Sequence, residues 1–496
     1  MYTVTIQTGG QTLSLPAAPG ALLSDLLRQA IPSFALPCGG NHTCGKCLVR
    51  LSGAVPAPSA SDLRLLTASA LADGIRLACS CKVEGDLTVT LHAAGAAKIV
   101  AWNKTIPFAR TETGYGLAVD IGTTTVAMQL FDRASGQVLA EQLAENAQRG
   151  YGADVISRIE ACKTAGLDVL SARIRDQLED MAAACLQDAG IDHIDEAVVT
   201  GNSTMLHLYE GLDPASLAVV PFAVQSYFGC TSRHTLAGAP VYLPRCVGAY
   251  VGADIVCAIL AAGMDTGGVQ LLTDIGTNGE IALMRDGRLT CCSTAAGPAF
   301  EGAGLSCGMP ATAGAIRAVG RQDGRVVYET VQGAAPCGIC GSGILDALAV
   351  MLDTEAIDDA GYMDEDYTIG DSGVTVTQRD VRQIQLAKSA ICAGILTLLE
   401  EAGLEADAVD RFIIAGGFGS SMNVDSACTI GLFPQALGVK TDFIGNGALG
   451  GAAMLLMNRS LRGQSEQLAQ AAAEISLSAS PAFMDAYVDC MSFMTF

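Results

Sequence analysis

Basic residues are scarce in this chain of 496 residues. Lysine and arginine together number 29 against 51 acidic residues, so the formal net charge is −22 at pH 7. Nucleic-acid binding depends on a basic surface that neutralises phosphates, so this balance argues against a nucleic-acid partner. It allows a protein partner with a basic docking face.

Long apolar runs are also missing, although half of the residues are hydrophobic. No uninterrupted apolar stretch reaches the roughly 18 residues of a membrane-spanning helix, so no membrane span is expected. The first ten residues, MYTVTIQTGG, lack a basic segment followed by an apolar one. The sequence therefore predicts no signal peptide and a cytoplasmic location.

The 18 cysteines are spread over the whole chain and are not concentrated in a small scaffold. A disulfide framework is therefore not expected, and a reducing, oxygen-poor setting fits better. Thiols in such a setting serve as cluster ligands or as small core residues. The length predicts about three domains.

Four N-terminal cysteines have the spacing C-x5-C-x2-C-x31-C: Cys38, Cys44, Cys47 and Cys79. A hairpin pattern and an amphipathic helix precede them, and a strand follows the loop, which is the order of a β-grasp ferredoxin. A [2Fe–2S] cluster needs four thiolates, three from one loop and one from a distant segment. The spacing therefore predicts a [2Fe–2S] site.

Three alternatives stay open at this loop. Zinc also binds four cysteines, but zinc sites usually pair two C-x2-C knuckles and only one is present. Cys81 stands two residues after Cys79 and could replace it as the fourth ligand. His42 lies inside the loop; a solvent-facing position is favoured for it over a role as a cluster ligand.

Two Asp-Ile-Gly-Thr turns give the strongest internal signal. The segments are GLAVDIGTTTVAMQL at 116–130 and QLLTDIGTNGEIA at 270–282, and each reads as a strand, a polar turn and a second strand. A carboxylate beside a Gly/Thr turn suits Mg-phosphate, because backbone N–H groups and hydroxyls face the phosphates while the carboxylate holds the metal through water. One such turn alone would indicate only an ordinary hairpin.

The segments around these turns extend the pattern. Small-residue helices are predicted at 251–263 and 444–454, and an apolar strand runs into a Gly-Gly-Phe-Gly turn at 411–420. In this order the motifs resemble the actin, sugar-kinase and heat-shock-chaperone superfamily of two-lobed ATPases. The fold class expected is thus α/β multidomain, a β-grasp ferredoxin domain followed by an actin-like ATPase domain.

The resemblance implies roles for particular residues. Asp120 and Asp274 would lie near Mg²⁺ on opposite lobes as catalytic residues, and Glu280 would orient an attacking water. The ATP-binding residues it implies are Gly122, Thr123, Thr124, Gly276, Thr277 and Asn278 at the phosphates and Gly416, Gly417 and Phe418 at the adenosine.

Two further groups are ambiguous. The glycine-rich segments 293–304 and 338–346, the latter with Gly341 and Gly343, could donate N–H groups to phosphate or form tight turns between the lobes. Cys337 and Cys340, or Cys291 and Cys292, could bind a second metal, but without partner cysteines nearby in sequence free thiols are favoured.

The domain organisation follows from these motifs. Residues 1–92 are predicted to form the ferredoxin domain, 93–114 a linker, and 115–496 the ATPase domain. Within the ATPase domain, the first lobe is expected at about 115–266 and the second at about 267–496.

The whole chain resembles the reductive activators of corrinoid proteins. The matching segments are the four cysteines, GLAVDIGTTT, NAQRGYGADVISRIE, TGNSTM, TDIGTNGE, AGPAFEGAG, GICGSG and AGGFGS. The resemblance implies a [2Fe–2S] cluster, ATP and Mg²⁺ as cofactors, and ATP-dependent reduction of a Co(II) corrinoid to Co(I) in a methyltransferase system. The partners implied are a corrinoid protein and an upstream low-potential electron donor; a homodimer is left open.

Some members of that family carry an extra small domain between the linker and the ATPase domain. Here only about 20 residues separate the ferredoxin domain from the ATPase domain. How the ferredoxin domain reaches its partner therefore stays open. Three other functions compete. The ATPase fold also serves small-molecule kinases, in which a ferredoxin domain would have no task. An ATP-coupled donor to another low-potential metalloenzyme is the second, and an ATP-dependent redox sensor is the third.

We expect the variant Cys44→Ala to lose the [2Fe–2S] absorption and keep ATP binding, because the two domains carry separate cores. Visible spectroscopy and a nucleotide-binding titration on the same sample measure both. Loss of ATP binding in this variant would contradict the division into separately folded domains.

Overall fold

The computed structural model describes the chain except for residues 9–10, 32–33, 35, 37–39, 41, 43–44, 46, 67, 92–101, 103–107, 265–266, 419–421 and 494–496. Cys38 and Cys44, two of the predicted cluster ligands, lie outside the described residues.

The N-terminal unit is a β-grasp fold. Its sheet has the strand order β2-β1-β5-β3-β4, and β5 runs parallel to β1. Alternation along β1 and β5 buries Val4, Ile6 and Val89 against Leu23 and Leu27 of the first helix. The elements are β1 (Tyr2–Thr8), β2 (Gln11–Ala17), α1 (Leu23–Ala30), β3 (Leu48–Gly53), α2 (Ala60–Leu65), α3 (Ala68–Ala72), β4 (Ile75–Leu77) and β5 (Leu87–Thr90).

The first lobe of the ATPase domain is a sheet of order β10-β11-β9-β6-β7-β8 covered by helices. Its elements are β6 (Tyr115–Ile121), β7 (Thr125–Asp132), β8 (Val138–Glu145), α4 (Val155–Ala161), α5 (Leu167–Ala189), β9 (Glu196–Gly201), α6 (Ser203–Glu210), β10 (Cys230–Leu236), β11 (Ala239–Leu243) and α7 (Ala253–Ala262).

The second lobe is built on a sheet of order β21-β20-β12-β13-β14-β22. Its elements are β12 (Val269–Ile275), β13 (Gly279–Arg285), β14 (Arg288–Thr294), β15 (Ala315–Gln322), β16 (Arg325–Thr330), β17 (Gly338–Ile339), α8 (Gly341–Asp353), β18 (Tyr367–Thr368), β19 (Thr375–Val376), α9 (Gln378–Glu401), β20 (Arg411–Ala415), α10 (Val424–Thr429), α11 (Gln435–Gly438), β21 (Thr441–Gly445), α12 (Gly447–Met457), α13 (Ser460–Ala471), β22 (Ala473–Glu474) and α14 (Pro481–Asp489).

The two lobes repeat one topology. In the first, β6, β7 and β8 form an antiparallel meander, and β9 and then β11 add parallel strands beside β6. In the second, β12, β13 and β14 form the meander, and β20 and β21 add in parallel beside β12. Each Asp-Ile-Gly-Thr turn is thus the first hairpin turn of its lobe, which confirms the two-lobed fold of the actin-like superfamily.

Helices α7 and α12 cross at close range between the lobes. A Cβ added to Gly451 would stand 2.1 Å from the carbonyl oxygen of Cys257, so only glycine fits there. The helix predicted at 444–454 begins later, at Gly447, because β21 extends to Gly445, which pairs with Ala415 of β20. The Asn446 side chain caps the helix by accepting from the N–H of Leu449.

Two peripheral segments are anchored on this body. Trp102 of the predicted linker packs on α12, where a Cβ on Gly450 would lie 2.6 Å from the indole ring. At the other end of the chain, Lys388 Nζ on α9 donates to the carbonyl oxygens of Cys490 and Ser492, at 2.5 and 2.7 Å. The described C-terminal segment, up to Phe493, therefore packs on the second lobe.

Among the helices of the described residues, none combines the length and the apolar character needed to cross a bilayer.

We expect Gly451→Ala to destabilise the protein by about 1–3 kcal/mol, because the methyl group overpacks the α7–α12 crossing. The matched control is Gly463→Ala on the exposed face of α13, where nothing lies within 4 Å of an added Cβ. That change should stabilise by up to about 1 kcal/mol through helix propensity. The midpoints of thermal unfolding test the pair, and equal midpoints would show that the crossing tolerates a side chain.

Candidate functional site

Two of the predicted cluster cysteines lie side by side in the N-terminal unit. Cys47 and Cys79 are both buried, and the backbone N–H of Cys79 donates to Cys47 Sγ at 3.5 Å. The loop glycines Gly40 and Gly45 have φ of 84° and 66°, a conformation that favours glycine. Two neighbouring buried cysteines, one of which accepts a backbone N–H at its sulfur, fit the needs of a [2Fe–2S] cluster.

Cys79 and Cys81 have different surroundings. His42 Nδ1 lies 3.3 Å from Cys79 Sγ, so this exposed histidine contacts a sulfur although it was expected only to face solvent. Cys81 lines a separate cavity together with Asp62 and Arg76. This geometry favours Cys79 as the fourth ligand.

The first phosphate turn is held from behind by buried polar groups. Thr123 Oγ1 accepts from the Asn202 side chain at 3.0 Å, and Asn146 Nδ2 donates to the Gly122 carbonyl at 2.8 Å. The fully buried guanidinium of Arg158 donates to the Thr123 carbonyl. Burial lowers the pKa of Arg158 to about 9, and its positive charge lies directly under the turn.

The second phosphate turn meets the first across the cleft. Thr124 Oγ1 and Thr277 Oγ1 are 2.9 Å apart, although 153 residues separate them in the chain. Thr277 Oγ1 also contacts Glu301 Oε1 at 2.9 Å, and the Thr277 carbonyl accepts from Gly297 N–H at 2.9 Å. The Gly276 N–H is bonded within the turn to the Asn278 carbonyl at 3.1 Å. The structure therefore brings both predicted turns to one point.

Four carboxylates of the cleft interact with one another: Glu280 is buried, and Asp120, Asp254 and Asp274 are half-buried. Burial raises the pKa of Asp120 to about 6, although Asn446 donates to it at 3.1 Å. Burial and the charge of Asp120 raise the pKa of Asp274 to about 7. Glu280 stands opposite Asp274 on β13, and burial together with its acidic neighbours holds the pKa of Glu280 well above its usual range.

The fourth carboxylate, Asp254, was not among the residues predicted from sequence. It lies in the first turn of α7, and burial and the charges of Asp120 and Asp274 raise its pKa. The only sequence signal was one acidic residue at the start of a helix of small residues. Arg158 was also missed. Its segment, NAQRGYGADVISRIE, was part of the resemblance, but the burial of Arg158 depends on tertiary packing and leaves no local signal.

The donor set fits Mg²⁺ with a nucleotide. All four groups are oxygen donors, and Glu280 Oε1 is buried with no hydrogen-bond partner in the described structure. Among the described residues, no three Asp, Glu, His or Cys side chains lie close enough together to bind a metal ion without further ligands. Mg²⁺ usually binds through one or two carboxylates, phosphate oxygens and water, so this arrangement suits a metal that arrives with ATP.

The predicted adenosine turn lies next to Asp274. Gly416 has φ of 94°, and a Cβ there would stand 2.7 Å from Asp274 Oδ1. Gly417 and Phe418 continue this turn, and the Phe418 ring stacks on Phe300 with centroids 5.3 Å apart. The aromatic pair forms one wall of the turn.

In the glycine-rich segment 338–346, two glycines are required for close packing. A Cβ on Gly341 would collide with the Phe300 carbonyl and the Phe418 ring, so Gly341 belongs to the wall of the adenosine turn. A Cβ on Gly343 would stand 2.2 Å from the Ile316 carbonyl of β15. Close packing of α8 on β15 therefore accounts for Gly343 without a ligand.

The cysteine pairs considered for a second metal have ordinary partners. Cys340 Sγ lies 3.4 Å from the Ile316 carbonyl, and Cys337 Sγ lies 3.7 Å from Met309 Sδ. Cys291 and Cys292 are fully buried on β14. These contacts fit thiols in packed loops and strands.

Three family models match successive parts of the chain. A 2Fe-2S iron–sulfur cluster binding domain matches residues 6–84, the RACo middle region matches 115–267, and the C-terminal domain of RACo, the ASKHA domain, matches 268–495.

Two curated proteins are similar over most of their length. The corrinoid activation enzyme RamQ of Eubacterium limosum is 34% identical over 436 residues, which cover 79% of this chain and 73% of that protein. The [Co(II) methylated amine-specific corrinoid protein] reductase of Methanosarcina barkeri is 26% identical and covers 70% of each chain.

A solved structure is similar over nearly the whole chain. It is described as a reductive activator for a corrinoid, iron–sulfur protein, with a TM-score of 0.71 and 28% identity over 99% of this chain and 98% of that one. With its ferredoxin domain, its two-lobed ASKHA domain and these relatives, the chain belongs to the RACo family of corrinoid activators.

Proposed function

We propose that this protein reduces the Co(II) corrinoid of a partner protein in a methyltransferase system to Co(I), transferring one electron at the expense of ATP. The observation that carries the proposal is the combination, in one chain, of a [2Fe–2S] cysteine loop and an ATPase cleft whose two phosphate turns meet at Thr124 and Thr277. The names of the relatives from Eubacterium limosum and Methanosarcina barkeri support the same substrate class.

The energetics explain why ATP is needed. For one electron, 59 mV corresponds to a tenfold change in an equilibrium constant, or about 1.4 kcal/mol. A ferredoxin cluster near −400 mV is a weak donor to an acceptor of much lower potential. ATP can shift this equilibrium only if it binds two conformations of the protein with different affinity. A cleft between two lobes supplies those conformations.

We assign roles as follows. Cys38, Cys44, Cys47 and Cys79 hold the cluster, which supplies a one-electron carrier when bound. Asp120 and Asp274 face Mg²⁺ through water, and the turns at 122–124 and 276–278 face the phosphates. Glu280 and Asp254 are the carboxylates available to orient a water molecule. The domain division at 1–92, 93–114 and 115–496, the upstream electron donor and a homodimer remain parts of this proposal.

Arg28 of the ferredoxin unit contacts the ATPase domain. Arg28 on α1 donates to the Gly150 carbonyl at 3.3 Å, and its guanidinium stands 5.5 Å from the centre of the Tyr151 ring. Asp25 orients the same guanidinium with an ion pair of 2.9 Å. A cation–π contact and a hydrogen bond thus join the two domains.

The contacted loop leads directly to the first phosphate turn. Gly152, the residue after Tyr151, accepts from Arg158 Nε at 3.0 Å, and Arg158 donates to the Thr123 carbonyl. At the other end of the loop, the Asn146 backbone N–H donates to the Thr124 carbonyl at 2.9 Å. A movement of the turn on nucleotide binding would therefore act on the loop that contacts the ferredoxin unit.

The function is tested by mixing the reduced protein with a Co(II) corrinoid protein without oxygen, with and without Mg-ATP. We expect loss of the Co(II) visible band and growth of the Co(I) band only with Mg-ATP. In Asp274→Asn the ATP-dependent rate should fall about 100-fold or more, because a lost metal contact removes several kcal/mol of charge stabilisation. The cluster spectrum should be unchanged.

The control is Asp286→Asn in the exposed hairpin turn after β13, where asparagine also tolerates the positive φ of 50°. This variant should behave as the parent protein does. An intact, reducible cluster without any ATP effect on corrinoid proteins would overturn the proposal, and phosphorylation of a metabolite would point to a kinase.

The interdomain contact gives a second test. We expect Arg28→Ala to reduce the ATP-dependent rate about threefold to tenfold, since one cation–π contact and one hydrogen bond are lost. Mg-ATP affinity and cluster reduction by dithionite should stay unchanged, while proteolysis within residues 93–114 should accelerate.

The matched control is Arg50→Ala, an exposed arginine of the same unit that makes no contact with the ATPase domain in the described structure. If both variants give the parent rate and the parent proteolysis pattern, the Arg28 contact has no part in coupling.

A further inference from the structure

A cavity of about 260 Å³ opens on the first lobe, outside the nucleotide cleft. It lies where the C-terminal end of α6 packs between α5 and the edge strand β10, three strands away from β6 in the sheet. None of the residues assigned above to the cluster or to ATP lines it. The lining residues are Arg175, Leu178, Glu179, Tyr209, Arg233, His234, Thr235 and Leu236.

Two guanidinium groups converge at this cavity. A Cβ on Gly211 would stand 3.3 Å from Arg233 Nη2 and 3.9 Å from Arg175 Nη1, so the two nitrogens can be no more than about 7 Å apart. Arg175 Nη1 donates to the Tyr209 carbonyl at 3.1 Å, and Arg233 donates to the Glu210 carbonyl. Each guanidinium has five N–H groups, so several donors of Arg175 remain for a ligand.

Buried polar atoms without partners cluster in the same place. Within the described residues, Ser171 Oγ and His234 Nε2 are buried and have no hydrogen-bond partner, and the buried Tyr209 hydroxyl interacts only with the Ser232 side chain. Ser171 and Tyr209 are each only 1% exposed. Ser171 Oγ would lie 3.5 Å from the same Cβ added at Gly211. Such groups cost stability unless a water molecule or a ligand completes their hydrogen bonds.

The acidic residues narrow the choice of ligand. Glu210 is bonded to Ser232 Oγ and lies 3.6 Å from Arg233 Nε, so its charge is already offset. Glu179 accepts from the Ala237 N–H at 3.1 Å and still lines the cavity. A doubly charged phosphate would meet this carboxylate, whereas a single carboxylate group can bind Arg175 and offer a hydroxyl or ammonium donor to Glu179.

We propose that this cavity binds a small carboxylate that also carries a hydroxyl or ammonium group. Its carboxylate contacts Arg175 and the Tyr209 hydroxyl, and its donor group contacts Glu179 or His234 Nε2. The volume lies just below the range of about 300–1,000 Å³ for drug-sized ligands, so the ligand is a small metabolite. The proposal is independent of the corrinoid assignment.

The site also has a structural link to ATP. Helix α6 begins after Asn202, whose side chain donates to Thr123 Oγ1 in the first phosphate turn, and ends at Tyr209 and Glu210 beside the cavity. A helix of eight residues is about 12 Å long. The metabolite would therefore sit one short helix away from the phosphate turn.

The test is thermal unfolding of the full-length protein with L-serine, glycine, L-lactate, L-malate or inorganic phosphate at millimolar concentration. At least one hydroxy or amino carboxylate should raise the unfolding temperature of the parent protein. Arg175→Gln, which keeps a donor for the Tyr209 carbonyl, should weaken that ligand about tenfold or more. Arg173→Gln, on another face of α5, should leave its affinity unchanged.

Tyr209→Phe separates binding from structure. Because the hydroxyl interacts only with the Ser232 side chain, its removal should change the ligand-free unfolding temperature little, while the ligand-induced shift decreases. A shift with phosphate only, no shift with any carboxylate, or a shift that Arg175→Gln retains would each overturn the proposal. Since Mg-ATP binding and corrinoid reduction are measured separately, failure here leaves the proposed function standing.

Discussion

Desolvation of neighbouring carboxylates, with repulsion between them in second place, is the constraint on which the ATPase cleft depends. Asp120 and Asp254 come from the first lobe and Asp274 and Glu280 from the second, and each raises the pKa of at least one of the others or has its own raised by them. In the described part of the chain, no basic side chain offsets this charge. A cation near these carboxylates would offset their charge, which suits the Mg-nucleotide proposed for this cleft.

Small residues allow the close approach of the two lobes. Helices α7 and α12 approach so closely at Gly451 and Cys257 that the lobes share one tight crossing. The same crossing fixes both ends of the site, because α7 carries Asp254 in its first turn and the cap of α12, Asn446, donates to Asp120. A rotation of one helix against the other at this crossing would change the position of Asp254 relative to Asn446, which donates to Asp120.

The ferredoxin unit is connected to this machinery at two points. Trp102 packs on α12, and Arg28 contacts the loop that Arg158 ties to the first phosphate turn. Electron transfer depends on where the cluster is held, and these contacts join its position to the elements that enclose ATP. In this arrangement one domain fits the electron carrier and the other fits the use of ATP.

Much of the fold could be predicted from the sequence because the signals are local. Cysteine spacing, alternation in the strands and two Asp-Ile-Gly-Thr turns depend only on neighbouring residues, and they were enough to predict a ferredoxin domain and a two-lobed ATPase. The start of α12 was predicted three residues early, since β21 extends to Gly445, which pairs with Ala415 of β20 from another part of the chain.

The sequence by itself determined which residue types stand at the cluster loop and at the phosphate turns. Only the tertiary structure decided that Thr124 meets Thr277 across the cleft, that Asp254 joins the carboxylates, and that Arg158 is buried under a turn. Arg175, Tyr209 and His234 likewise gave no sequence signal, because they belong to three different elements. Burial and contacts between distant segments depend on how the elements pack, and no local pattern encodes that packing.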